Sequence, residues 1–278
     1  MGQSCPRTKN VMQQLHFYKY QGAGNDFIMV DQREHRYLQR SDPAIIARLC
    51  HRRFGIGADG LILLQNHPEF DFEMVYFNAD GGEGSMCGNG GRCIVAFARQ
   101  LGIIGEQCRF LAVDGPHEAR IRPNGWVDLK MSDVKEVEKG AGFYFLNTGS
   151  PHYVEFVDAL EQTDVLQRGR EVRYSERFKT EGTNVNFVAP AEEGIAVATY
   201  ERGVEDETLS CGTGVTASAI AHYIRQPGQG PQVIPIQTKG GRLEVRFTPM
   251  ADGFTDVWLC GPAELVFEGA ATHDPMNP

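Results

Sequence analysis

Two of the seven cysteines stand in closely similar surroundings. Cys87 is followed by Gly88-Asn89-Gly90-Gly91 and Cys211 by Gly212-Thr213-Gly214, and each loop runs straight into apolar residues at helical spacing. A helix N-terminus carries unpaired N–H groups and the positive end of the helix dipole. Glycine lets a ligand approach that backbone closely. Such a corner binds a carboxylate or phosphate. It also favours thiolate over thiol, so each cysteine is expected to have a lowered pKa. Two such corners facing across one cleft would hold one carboxylate between helix ends, with a thiol on either side of its α-carbon. That layout suits inversion of a stereocentre: one sulfur removes the α-proton from one face, and the other returns a proton to the opposite face. The helix ends would stabilise charge building on the carboxylate. Pyridoxal phosphate would not be required, and no lysine motif for it stands out. No organic cofactor is therefore expected.

The two motifs belong to an internal repeat. Eleven residues before each cysteine is a tyrosine (Tyr76, Tyr200), and four before each is a glutamate (Glu83, Glu207). Gly125-Trp126-Val127-Asp128-Leu129 then matches Gly253-Phe254-Thr255-Asp256-Val257, 38 and 42 residues after the respective cysteines. Several matches in one order imply a duplicated α/β unit of about half the chain, rather than chance likeness among glycine-rich loops.

The elements that must position these loops are mostly strands. Residues 16–20, 27–31, 61–64, 72–77, 109–113, 118–122 and 127–131 carry β-branched or aromatic residues and end near Gly, Asn, Asp or Pro. Residues 153–156, 184–188, 195–200, 233–238, 243–247 and 255–259 repeat the style. Helices are predicted over 42–51, with Pro43 in the first turn, and over 91–101 and 214–224. The fold class expected is α/β of the α+β kind: two pseudo-symmetric domains, each a curved mixed sheet or barrel around a central helix. Residues 1–15 read as a flexible leader. The first domain is expected over 16–131, completed by 264–278, and the second over 132–263, with the cleft between them.

Composition bounds the rest. The chain has 278 residues, 41% hydrophobic and 23% charged, which supports a normal core. A net charge of −9 argues against a general nucleic-acid binder. No apolar run reaches the 18 or so residues of a membrane-spanning helix. The odd cysteine count and irregular spacing argue against a disulfide scaffold, and reduced thiols in the cytoplasm are the default. No CxxC pair or His/Cys cluster has zinc spacing, so no metal site is expected. Cys50, Cys93, Cys108 and Cys260 read as small buried hydrophobes.

Gly22-Ala23-Gly24-Asn25-Asp26-Phe27, Phe77-Asn78-Ala79-Asp80-Gly81 and Met86-Cys87-Gly88-Asn89-Gly90-Gly91-Arg92-Cys93 resemble the first-half signature of the diaminopimelate epimerases. Tyr200-Glu201-Arg202-Gly203 and Ser210-Cys211-Gly212-Thr213-Gly214 resemble the second. The likeness runs from Phe17 to about Phe267. It implies a cofactor-independent isomerase that interconverts LL- and meso-diaminopimelate, on the bacterial route to lysine and peptidoglycan, and a homodimer. Cys87 and Cys211 match the catalytic pair. The backbone around Gly88-Asn89 and Gly212-Thr213 matches the carboxylate cradle. Asn25 matches a residue near the reacting amino group, and Asn78, Asn184, Glu201 and Arg202 match the grip on the distal amino-acid end. The residue chemistry agrees, since arginine forks onto a carboxylate and amides serve both charged groups. Two positions depart. Many members have Gln after Gly-x-Gly-x-Asp, where this chain has Gly60 after Gly55-Ile56-Gly57-Ala58-Asp59; many have Gly-Asn-Pro-His, where it has Gly149-Ser150-Pro151-His152. Contacts to the reacting amino group and the distal carboxylate are the ones these departures leave open, with backbone or water as substitutes.

Blander readings stand beside these. Asn25 and Asn78 also suit turns, Arg202 a solvated strand end, Glu83 and Glu207 ordinary surface positions, and His152 a structural histidine. Ser150 and His152 remain the weaker site candidates. Competing functions are a proline or hydroxyproline racemase, a thiol hydrolase with Cys87 or Cys211 as nucleophile and His152 as base, and a noncatalytic anion binder. A distal Glu201/Arg202 pair favours a substrate charged at both ends.

Overall fold

The computed structural model describes residues 13–273. The first half runs β1 (Gln13–Gly22), β2 (Asn25–Asp31), α1 (Pro43–Cys50), β3 (Gly60–Gln65), β4 (Phe72–Asn78), α2 (Gly88–Gln100), β5 (Gln107–Ala112), β6 (Gly115–Ile121) and β7 (Val127–Lys130). The second runs β8 (Val137–Lys139), β9 (Phe143–Asn147), β10 (Pro151–Phe156), α3 (Val165–Arg173), β11 (Asn184–Pro190), β12 (Ile195–Glu201), β13 (Asp206–Thr208), α4 (Gly212–Arg225), β14 (Gln232–Thr238), β15 (Gly241–Met250) and β16 (Gly253–Gly261), and β17 (Glu264–His273) ends it. The architecture is α+β and dominated by sheet, as the sequence predicts.

Strand pairing makes the duplication explicit. In the first half β1 pairs antiparallel with β2, β2 parallel with β3, β3 antiparallel with β4, β4 parallel with β5, and β5, β6 and β7 follow as an antiparallel meander. The second half repeats this order with β9, β10, β11, β12, β14, β15 and β16. Every parallel pair is joined by a helix, as parallel strands need a crossover: α1 and α3 serve the first parallel pair of each half, α2 and α4 the second. The last strands of the two repeats, β7 and β16, pair antiparallel and join the halves into one continuous sheet. β17 pairs along β1, and β8 caps β9 in the corresponding place.

Each sheet curls around its second crossover helix. α2 packs against β1, β2, β3, β6, β7 and β17, and α4 against β9, β10, β11, β12, β14, β15 and β16. Burial on every face follows, and a helix enclosed on all sides must be apolar or small all round. Gly90, Gly91, Cys93, Ile94, Val95, Phe97 and Ala98 are buried in α2, as are Gly214, Val215, Ala217, Ala219, Ile220 and Ala221 in α4. Around α2 stand Phe27, Ile62, Phe72, Met74 and Phe110; around α4 stand Val154, Val188, Val197, Val245 and Phe247.

The two central helices meet end to end. A Cβ built on Gly212 would lie 3.4 Å from the Gly88 Cα, and one built on either glycine would lie 2.8 Å from Leu259 Cδ2. Leu259, on β16 and fully buried, therefore underlies both helix starts.

Some expectations are corrected. β1 begins at Gln13, so residues 13–15, read as the end of a leader, belong to the sheet, where they pair with His273, Thr272 and Ala271. The remaining leader residues, 1–12, and the C-terminal residues 274–278 lie outside the described part. α2 starts at Gly88 rather than at residue 91, because tertiary contacts, not glycine's weak helix propensity, set its start. α3 carries few apolar residues and is missed by periodicity; its N-cap is Asp164, whose carboxylate accepts from the Gln167 N–H at 2.9 Å. The tyrosine match of the repeat is out of register by one. Glu83 bridges to Phe77 and Glu207 pairs with Tyr200, so Phe77 corresponds to Tyr200, and Tyr76 to Thr199.

Leu259→Ala removes the support shared by both helix starts and leaves a cavity between them. Urea unfolding should show a loss of about 3 kcal/mol; a loss under about 1 kcal/mol would show that the junction does not rest on this side chain.

Candidate active site

Cys87 and Cys211 occupy the N-cap positions of α2 and α4 with nearly the same extended backbone, φ −107°, ψ 121° and φ −117°, ψ 112°. Both are free thiols; Cys211 is buried and Cys87 half-buried. Because Gly88 and Gly212 touch, the two cysteines that precede them adjoin a single junction of helix ends.

The helix ends act on the thiols in the expected sense. Backbone N–H groups of Gly90 and Asn89 favour the Cys87 thiolate, and Thr213 and the Gly214 N–H favour that of Cys211. Burial is larger, however, and Glu201 adds its negative charge, so both thiols are pushed above the ordinary value of 9.0. The expected lowering is thus overturned by desolvation. Arg92 opposes this. It is fully buried one turn into α2 and donates to Asn89 Oδ1 at 3.0 Å and to the carbonyls of Gly88 and Pro262 at 3.4 Å. Among the described residues no carboxylate pairs with it, and its charge favours the Cys87 thiolate. The sequence motif contained Arg92 without assigning it; a cation inside an otherwise apolar helix was the available signal.

Asn89 ties the halves together. Its amide donates to the carbonyl of Ser210 at 3.1 Å and to Asn25 Oδ1 at 3.3 Å. Asn25 Oδ1 also lies 3.6 Å from Cys87 Sγ, as acceptor for the thiol. Asn25 Nδ2 donates to Asp59 Oδ2 at 2.6 Å. Asp59 is in turn held by Arg52 at 2.7 Å, and Arg52 forks onto Asp26, which Lys19 approaches to 2.8 Å. Burial alone would raise Asp26, but Arg52 and Lys19 outweigh it and hold that carboxyl well below the usual range. This ionic scaffold, which the sequence reading did not identify, fixes the orientation of Asn25.

On the other side Thr213 Oγ1 lies 3.6 Å from Cys211 Sγ, and the Thr213 carbonyl accepts from Thr148 Oγ1 at 2.8 Å. Asn184 is buried; its amide donates to Ser150 Oγ at 2.9 Å and to the Pro151 carbonyl at 3.1 Å, while its Oδ1 accepts from the Arg202 N–H at 2.9 Å. The Arg202 guanidinium reaches the Glu181 carbonyl at 2.9 Å and Ser150 Oγ at 3.5 Å. Glu201 precedes it; burial raises its carboxyl pKa, Thr208 lowers it, and Asp59 raises it further, for a net rise. The negative charge of Glu201 also acts to raise both thiols. Asn78 ends β4 exposed, in a turn closed by its N–H to the Gly82 carbonyl at 2.9 Å, and no side-chain hydrogen bond joins it to the cysteines. The structure thus brings together Cys87, Asn25, Gly88, Asn89, Gly212, Thr213 and Cys211, and separately Asn184, Ser150 and Arg202.

His152 is fully buried, with Nδ1 3.1 Å from Asn186 Nδ2 and Nε2 without a hydrogen-bond partner among the described residues. Burial and the Arg202 charge push its pKa down to about 3. An imidazole so reluctant to take a proton is a poor general base, and it bonds neither thiol. Among the described residues no group of three or more His, Cys, Asp or Glu side chains is placed to hold a metal.

The chain matches the diaminopimelate epimerase family over residues 17–137 and 144–266. It is 51% identical over 258 residues to the diaminopimelate epimerase of Flavobacterium psychrophilum, covering 91% of this chain and 99% of that one. It is 38% identical over 281 residues to that of Aquifex aeolicus, covering 95% and 100%. A PhzF-family phenazine biosynthesis protein from Bacillus anthracis superposes with a TM-score of 0.75 at 14% identity, over 94% of this chain and 99% of that one. A hydroxyproline epimerase from Agrobacterium vitis gives 0.70 at 13% identity, over 96% and 94%. At those identities the likeness is one of fold. Matched through both repeats and sharing half its aligned residues with the Flavobacterium enzyme, this chain belongs to the diaminopimelate epimerase family.

Proposed function

We propose that this protein interconverts LL- and meso-diaminopimelate by two-thiol proton transfer, with Cys87 and Cys211 as the paired acid and base. The observation that carries this reading is the contact between two helix N-termini, each capped by a cysteine. The substrate carboxylate sits on the N–H groups around Gly88-Asn89 and Gly212-Thr213, where the two dipoles reinforce each other. One sulfur, as thiolate, takes the α-proton: the C–H bond breaks, an S–H bond forms, and the electron pair spreads into the carboxylate. The other sulfur gives its proton to the opposite face and becomes the thiolate. Arg92 and the helix-end N–H groups stabilise the charge in the intervening state. Asn25 orients the reacting end. Asn184, Glu201, Arg202 and Ser150, with Asn78 at the cleft edge, hold the distal amino acid.

The halves act as two domains, 16–131 with 264–278 and 132–263, whose closure excludes water and aligns the sulfurs. The depressed His152 argues against a Cys–His hydrolase. The Glu201/Arg202 pair, placed for a charged distal end, disfavours a proline-type substrate. The reaction belongs with lysine and peptidoglycan precursor synthesis, in the cytoplasm, where the thiols stay reduced. Among the described residues no helix is long and apolar enough to cross a membrane. A homodimer is supported by β17, whose outer edge is unpaired among the described strands and carries exposed Leu265, Val266 and Phe267.

Cys87→Ala and Cys211→Ala should each lower inversion by about 10³-fold, and the unaltered protein in deuterated water should place solvent deuterium on the α-carbon as it inverts. Retention of inversion in either variant would remove the two-thiol reading. Because burial raises both thiols, alkylation of Cys87 by iodoacetamide should accelerate with pH up to and beyond 9.0; a plateau already at neutral pH would mean that the helix end wins over burial. Val266→Lys with Phe267→Lys should convert a dimer to a monomer in analytical ultracentrifugation, and an unchanged sedimentation coefficient would place the interface elsewhere.

A further inference from the structure

The duplicated topology allows the two halves to be compared position by position. Leu61 pairs with Phe77 and Val185 pairs with Tyr200, so Gly60 in the first half corresponds to Asn184 in the second. Asn184 fills its place with an amide that bridges Ser150 and the Arg202 backbone. Gly60 has no side chain, yet its place is occupied. A Cβ built there would lie 2.5 Å from Tyr76 Cε2 and 3.1 Å from the Tyr76 hydroxyl oxygen. A Cβ on Gly84 would lie 2.6 Å from Tyr76 Cδ1 and Cε1. The ring is therefore held in a slot between two glycines, with Phe27 edge-on at 6.0 Å.

The hydroxyl ends this slot at Gly60, the residue after Asp59, and its ring packs on the same apolar cluster as Cys87; Cys87 and Asp59 are the charges that act on it most after burial. It makes no hydrogen bond to the described residues. Burial and those negative neighbours hold it protonated, so it is a neutral donor and acceptor rather than a charge. Its topological counterpart, Thr199, is buried and bonded to Asn186 at 2.9 Å. Tyr200, the tyrosine matched by sequence spacing, is also buried, with its hydroxyl on Glu205 at 3.0 Å. Of the three hydroxyls, only that of Tyr76 lacks a partner.

We infer that Tyr76 is a substrate-binding residue: its hydroxyl, filling the place left by Gly60 beside Cys87, accepts a hydrogen bond from the ammonium group on the reacting carbon. The acidic surroundings select a cation, and the nearness of Cys87 and of the Asp59–Asn25 pair selects the reacting end rather than the distal one. The assignment rests on the two-thiol reading above.

Tyr76→Phe keeps the ring in its slot and removes one oxygen. The KM for diaminopimelate should rise about tenfold, the worth of one hydrogen bond to a charged group, while kcat falls by less. L-2-Aminopimelate, seated by its amino-acid end on the distal grip, presents no ammonium at the reacting carbon. Its inhibition constant should stay within about twofold. Tyr200→Phe, as a control, should change neither value. An equal loss for both ligands, or no loss for diaminopimelate, overturns the assignment. An unaltered protein that inverts no diaminopimelate sinks the reading beneath it, whatever Tyr76→Phe does.

Discussion

The contact on which the rest depends is the end-to-end meeting of α2 and α4 at Gly88 and Gly212. Two positive helix ends placed together repel each other, and their N–H groups have no partners in the helices. The arrangement is tolerable because it is assembled from rigid parts: each helix is enclosed by its own sheet, β7 and β16 fasten the sheets to each other, and Leu259 fills the space beneath. Any side chain on either glycine would push the helix ends apart or drive into Leu259. An anion at the junction relieves the unfavourable field, so the site favours a negatively charged group before any side chain is considered.

The electrostatics of the thiols follow from the same enclosure. The helix ends favour thiolates, but burial disfavours any isolated charge by more, and Glu201 adds to the penalty. The resting pair is therefore biased toward two neutral thiols. Arg92, with no carboxylate partner among the described residues, offsets part of this at Cys87. A buried cation without a counter-ion is costly, and its position one turn from Cys87 makes sense if a negative charge forms repeatedly at that helix end.

The chemistry of this protein was legible in its sequence because it depends on local motifs. A cysteine, the glycines after it and an apolar helix form one short run, and the run occurs twice. The central helices were legible because burial on nearly all sides leaves their middles apolar or small, Cys93–Ala98 in α2 and Val215–Ala221 in α4. What escaped was set by long-range pairing. α3 is polar on most of its surface and is capped rather than buried. The Asp26–Arg52–Asp59 scaffold joins residues far apart in the chain. Arg92 sat inside a motif already read, but only the fold shows that no acid among the described residues pairs with it. The tyrosine match failed because one residue more separates β12 from its glutamate than separates β4 from its own, and counting back from the cysteines cannot see that insertion.

Duplication alone would give two equal cradles, and a substrate with two amino-acid ends could then react at either. The corresponding positions show how the symmetry is broken. Asn25 in the first half corresponds to Ser150 in the second, Gly60 to Asn184 and Asn78 to Glu201, as the pairings of β2 with β3 and of β10 with β11 require. The first half keeps its asparagine beside the cysteine and clears the next position for an aromatic ring. The second half shortens the first of these positions, keeps an amide at the next, and adds a carboxylate followed by Arg202. One set adjoins the junction of the helix ends; the other has the chemistry of a fork for a carboxylate and a partner for an ammonium. On the two-thiol reading, the two repeats divide the labour between an end that is deprotonated and an end that is only held, and this division, more than either cysteine alone, selects the carbon that lies between the sulfurs.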